Sequence, residues 1–204
     1  MTEHPHKRRL APWLKEARSL LLLMLLLGVA RTSFANHYQV PTGSMEPTLI
    51  PGDRVMVDMS AYGLRVPFTD LQLVPRGQPG RGEVVVFKSP ADGTRLIKRV
   101  AAVAGDRVEL IDGHLRINGR ALASAGEPDL EVFGQRRVPL GLDMGGGADI
   151  AGATIPDGML LVLGDHRGNS SDSRYFGLVE ADSVYARAVG VFWRSGEGPV
   201  WKRL

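Results

Sequence analysis

Ser44 stands in Val40-Pro41-Thr42-Gly43-Ser44-Met45-Glu46-Pro47-Thr48-Leu49, where two prolines and a glycine fix an extended or turning backbone around a hydroxyl that could act as a nucleophile. A serine in such a loop equally serves to satisfy backbone groups in a turn, so it needs a base before it counts. The usual base is a histidine held by a carboxylate. Of His37, His114 and His166, only His166, in Gly164-Asp165-His166-Arg167, is attractive, and neither a Gly-x-Ser-x-Gly elbow nor an α/β alternation surrounds Ser44. Lysine is the other available base. Beyond residue 36 only Lys88, Lys98 and Lys202 occur, against many arginines, and an arginine cannot give up its proton.

Lys98 lies in Thr94-Arg-Leu-Ile-Lys-Arg-Val-Ala-Ala-Val-Ala104, where an alternation of period two places it on one face with Leu96, Val100 and Ala102. Apolar neighbours disfavour the charged amine. A lysine at its ordinary value of about 10.4 is neutral about 0.04% of the time at pH 7, and a fall of about 3 units brings it near half neutral. The competing reading is a strand-edge lysine whose ammonium reaches solvent beside Arg99. Lys88, before Ser89-Pro90, reads as a solvated strand end.

A third cluster, Gly164 to Arg174, packs two glycines, four charges and three serines into 11 residues between apolar strands. Burying such a turn is costly unless its polar groups satisfy one another. It could orient a neutral lysine with a hydroxyl and pin the loop with an Asp-Arg pair. It could also be a solvated turn or a calcium loop, although Asp165 and Asp172 are its only acids. The chain has no cysteine, so a thiol nucleophile, a disulfide and a Cys-based metal site are excluded, and no metal or cofactor is expected.

These residues need a scaffold, and the sequence after Asn36 offers strands. Short β-branched runs broken by Gly, Pro and Asp fall at Arg54 to Asp58, Glu83 to Lys88, Arg95 to Ala104, Arg107 to Ile111, His114 to Ile117, Met159 to Leu163, Val184 to Trp193 and Val200 to Lys202. Asp112-Gly113 is a hairpin signal. Leu64 to Arg81 reads as loop, and so does the Gly-rich stretch Leu140 to Ala153. The expected fold is mainly β: an all-β domain over residues 37–204 with a smaller inserted section at about 106–157. At 204 residues, 44% apolar and 23% charged, disorder and collagen-like structure are excluded.

The net charge of +3 could point to nucleic acid, but its location argues otherwise. Residues 1–18 hold five basic and two acidic side chains, and the remainder is neutral, so no basic patch sits on the folded part. The tail directly precedes Leu20-Leu-Leu-Leu-Met-Leu-Leu-Leu-Gly-Val-Ala30, whose 11 residues span only about 17 Å of a hydrocarbon core roughly 30 Å thick. Extending from Ala17 to Asn36 reaches about 30 Å if Arg18 and Arg31 snorkel to opposite interfaces, which places the expected membrane anchor at residues 19–36. The basic tail then stays cytoplasmic and residues 37–204 are exported. A cleaved secretory signal ending at Ser33-Phe34-Ala35 is the alternative, and it exports the same residues.

The order of the motifs is more specific than any one of them. The chain resembles type I signal peptidases, membrane-anchored serine/lysine endopeptidases, from the hydrophobic segment to about Val179. The resemblance is carried by Ser44-Met-Glu-Pro-Thr-Leu49, Gly52-Asp53-Arg-Val, Lys98-Arg-Val-Ala-Ala-Val-Ala-Gly-Asp106 and Gly164-Asp-His-Arg-Gly-Asn-Ser-Ser-Asp-Ser-Arg174. It implies Ser44 as nucleophile, Lys98 as neutral general base, and Ser170 hydrogen-bonded to the lysine amine. It further implies an oxyanion site from the Ser44 N–H and the Thr42 hydroxyl, a supporting Asp172–Arg174 ion pair, and apolar pockets lined by Val40, Met45, Leu49 and Ile97 for small substrate residues at −1 and −3. His166 and Gly168 depart from the Asn and Asp more usual in the family.

The implied activity is removal of signal peptides from exported preproteins at a bacterial inner membrane, with the bilayer and the export translocon as partners and no nucleic acid. Dedicated processing of a narrow substrate set, such as a conjugation or pilus component, is an alternative. So is a non-catalytic membrane-tethered β domain. A self-cleaving repressor shares a Ser/Lys dyad but needs a helical DNA-binding domain in place of the hydrophobic segment.

Overall fold

The computed structural model describes residues 12–33, 35–65 and 72–204. Its first element is a helix over Pro12–Ser33, 22 residues or about 33 Å long. The helix overlaps the expected segment 19–36 but has its own bounds. The helix starts earlier because Lys15, Glu16 and Arg18 are good helix formers, and it stops before Ala35–Gln39, which is a strand. Among the described residues no helix is long and apolar enough to cross a membrane. The charged residues at 15, 16, 18 and 31 leave the apolar run of Leu20 to Ala30 as its longest uninterrupted stretch. Leu20 to Met24 are each more than half exposed. The basic residues Lys7, Arg8 and Arg9 of the expected cytoplasmic tail lie outside the described residues.

Beyond the helix the molecule is mainly β. An eight-stranded antiparallel sheet runs in the order Ala35–Gln39, Arg54–Asp58, Ala186–Arg194, Val84–Lys88, Arg95–Val103, Met159–Leu163 and Val179–Glu180, with Gly198–Arg203 added beside Ala186–Arg194. Arg95–Val103 sits between Val84–Lys88 and Met159–Leu163, so Lys98 lies inside the sheet rather than on its edge.

Two smaller antiparallel sheets are built between Arg107 and Thr154: four strands in the order Ile150–Thr154, Arg107–Ile111, His114–Ile117, Arg120–Ala121, and three in the order Ala123–Ser124, Glu127–Phe133, Arg136–Pro139. Their Val108, Leu110, Leu115, Phe133 and Val138 share a core with Ala101, Ala102, Leu161 and Leu163 of the large sheet. A second core joins Val40, Met45 and Leu49 to Val55, Val57, Val84, Val86 and Ala188.

Two stretches expected as loop carry strands. Gly63–Arg65 pairs with Gln72–Pro75, and Ile150–Thr154 pairs with Arg107–Ile111 across a register shift. Their Gly and Pro residues mask the pairing: Gly152 sits within the register shift of one ladder, and Gly63 and Pro75 pair with each other in the other.

Candidate active site

Ser44 occupies a single turn of 3-10 helix, Gly43–Met45, entered from the extended residue Thr42. That turn drives Met45 wholly into the core and leaves Ser44 half-buried, facing the large sheet. From the sheet, the Lys98 Nζ donates to Ser44 Oγ at 2.5 Å, joining residues 54 positions apart. Only 3% of Lys98 is exposed. Burial pushes its amine down from 10.5 to about 8, opposed by the negative charges of Asp172 and Asp165 and reinforced by Arg174. The exposed Thr42 hydroxyl donates to Ser44 Oγ at 3.5 Å, a long contact on the solvent side.

Alternation along Arg95–Val103 does not separate a wet face from a dry one. Arg99 is also buried, and it forms a two-pronged pair with Asp165 at 2.8 and 2.6 Å while donating to the Gly82 carbonyl at 2.7 Å. Lys98 and Arg99 thus reach opposite faces of one covered strand. Arg99 anchors the Gly164 to Arg174 loop on one side while Lys98 reaches Ser44 on the other.

Within that loop Asp172 and Arg174 pair at 2.7 and 2.8 Å with both side chains fully buried, and Asp172 also accepts from the Gly164 N–H at 2.9 Å. The Arg174 guanidinium donates to the Gly146 and Arg167 carbonyls, both at 2.6 Å. Arg167, 2% exposed, pairs with the fully buried Glu131 at 2.5 and 3.0 Å, and Glu131 accepts from the Leu115 N–H. The loop is therefore tied to the smaller sheets as well as to the large one. Gly164 is required where it stands: an added Cβ would lie 2.2 Å from Ser170 Oγ and 2.4 Å from the Ser44 carbonyl oxygen.

Several expected residues behave differently. Ser170 is buried beside Gly164, but its hydroxyl makes no hydrogen bond among the described residues, so the expected bond to Lys98 is not formed. The Lys98 amine instead points to Ser44. Val40, Met45 and Leu49 are 3%, 0% and 0% exposed and offer almost no surface to a substrate. The Gly43–Met45 turn and the chain after it fold them under the site as core. Ile97 alone of the four keeps part of its surface.

His166 does not pair with Ser44 Oγ. Its backbone N–H donates to the Ser44 carbonyl at 3.2 Å, while its ring lies between Asp143 and Glu46. Arg99, Asp165, Arg167 and Glu131 were not singled out by sequence as holding the site. Asp165 and Arg167 were visible as charges in a turn, but partners 66 and 36 residues away were not.

A buried lysine hydrogen-bonded to a serine hydroxyl on an antiparallel scaffold is suited to acyl transfer. The family model described as "Signal peptidase, peptidase S26" matches residues 13–193. The chain belongs to that family and is a serine endopeptidase of the signal peptidase type. It is 32% identical over 212 residues to signal peptidase I of Pseudomonas aeruginosa, covering 92% of this chain and 74% of the relative. A probable signal peptidase I-2 of Synechocystis is 32% identical over 190 residues, covering 89% of this chain and 73% of the relative. Signal peptidase I T of Bacillus subtilis is 28% identical over 197 residues, covering 96% and 93%.

Proposed function

We propose that this chain removes N-terminal signal peptides from exported preproteins by cleaving after small residues, with Ser44 as nucleophile and neutral Lys98 as general base. The observation that carries the reading is the 2.5 Å contact between Ser44 Oγ and an amine whose burial lowers it to about 8.

Neutral Lys98 takes the Ser44 proton as Oγ attacks the substrate carbonyl, and the resulting oxyanion is met by the Ser44 N–H and the Thr42 hydroxyl. The lysine ammonium then protonates the departing amine, leaving an acyl-enzyme. Water attacks the acyl carbon with Lys98 again as base, and serine is released. The Asp172–Arg174 pair and the Arg99–Asp165 pair hold the loop that walls the amine from water.

The same reading takes the apolar part of the Pro12–Ser33 helix, from residue 19 onward, as an anchor in a bacterial inner membrane with Arg18 and Arg31 reaching its interfaces, residues 1–18 cytoplasmic and residues 37–204 outside, near the lipid and the translocon. Ser44 follows the helix by 11 residues, which keeps the site at the bilayer surface. The section at 106–157 is assigned as a subdomain that braces the catalytic loop. The test is incubation of purified protein with a preprotein carrying an Ala-x-Ala site. Sequencing of the product is expected to show a new N-terminus directly after that site, and an intact preprotein would overturn the reading.

A further inference from the structure

Beside the nucleophile, on the side of Glu46, lies an open cleft of about 590 Å³ with an acidic rim. Glu46, Asp129 and Asp143 line it, and no lysine or arginine among the described residues pairs with any of the three. Its inner wall is His166, 5% exposed. The His166 Nε2 is 3.0 Å from Asp143 Oδ1 and its Nδ1 is 3.7 Å from Glu46 Oε2, yet neither nitrogen makes a hydrogen bond among the described residues. A buried imidazole lacking hydrogen-bond partners is costly, and one that faces a cleft is suited to a ligand that completes it. The floor, formed by Pro47, Leu140 and Leu142, is apolar.

The carboxylates of the rim accept hydrogen bonds and carry negative charge, so the complementary ligand brings donors and positive charge on an apolar stem. The apolar floor beside the carboxylates suits an organic cation with an aliphatic stem. The geometry points to a subsite for a lysine or arginine side chain of the preprotein. Glu46 is two residues from Ser44, so their Cα atoms are at most about 7 Å apart. An extended substrate advances about 3.3 Å per residue, and the cation therefore belongs within about three residues of the scissile bond. The inference rests on the peptidase reading and adds to it a preference beyond small residues at the cut.

The test uses the full chain and a peptide with an Ala-x-Ala site, in which lysine or glutamine is placed in turn at each of the three positions on either side of the cut. The readout is the ratio of kcat/KM for the lysine and glutamine peptides, which cancels any general loss of activity in a variant. The expected result is a ratio of about tenfold at one position in low salt, shrinking as salt screens the charges. In E46Q/D143N the ratio is expected to fall to about one. A ratio near one at every position in the parent, or a ratio that survives both substitutions, would overturn the subsite.

Titration of the same peptides into S44A reads binding without cleavage. Tighter binding of the lysine peptide with no cleavage by the parent would leave the subsite standing and remove the peptidase reading. Cleavage with no lysine preference in either assay would do the reverse.

Discussion

At pH 7 a lysine titrating at about 8 is neutral roughly a tenth of the time, against about 0.03% at 10.5, so burial multiplies the neutral fraction of Lys98, the proposed base, about three-hundredfold. The base works in its neutral form. Activity therefore rises about tenfold per pH unit below 8 and levels above it, and kcat/KM measured from pH 5 to 9.5 on an uncharged peptide checks this. A flat profile contradicts it. Lys98→Arg keeps the charge and cannot deprotonate, so it is expected to lose at least about a hundredfold in kcat while remaining folded by circular dichroism. The Ser44 and Lys98 pairing was open to the sequence through the order of its motifs and the family resemblance they carry, since a serine in a Pro/Gly-fixed loop and one of three lysines beyond residue 36 do not by themselves define a dyad. The fate of Ser170, Met45 and Leu49 was not, since side-chain direction depends on a three-residue turn and on packing that no spacing encodes.

The Gly164 to Arg174 loop is where element and site meet. Gly164 carries no side chain because Ser170 and the Ser44 carbonyl occupy that space, so Gly164→Ala must displace one of them. It is expected to lose activity by at least about tenfold and to lower the melting temperature, as overpacking of this kind costs about 1–3 kcal/mol. Arg167 and Glu131 are both buried, and removing one partner strands the other charge. Glu131→Gln is expected to destabilise by about 3–5 kcal/mol in urea unfolding, whereas Glu127→Gln, whose Arg137 partner is exposed, changes stability by less than about 1 kcal/mol. Strand positions such as Arg54–Asp58, Arg107–Ile111 and Met159–Leu163 were legible because apolar runs and turn residues are local signals. Pairs such as Arg99–Asp165 close over 66 residues and exist only once the sheet is formed.

Across the whole molecule, the concentration of the net positive charge in residues 1–18, with no net charge in residues 19–204, favours the proposed orientation: basic tail inside, β domain outside. Protease added to spheroplasts is expected to degrade a C-terminal tag and spare an N-terminal one, and the opposite pattern would reverse the topology. The large sheet supplies Lys98, the chain after the helix supplies Ser44, and the smaller sheets hold the loop that encloses them, so the dyad depends on all three parts. In the proposed mechanism Ser44 and Lys98 act in one step, so their losses should not add. The most direct test is kcat/KM on one preprotein for the parent, Ser44→Ala, Lys98→Ala and the double variant. Each single substitution is expected to reach background and the double to fall no further, while either single variant retaining more than about a tenth of parental activity would contradict the Ser44–Lys98 mechanism.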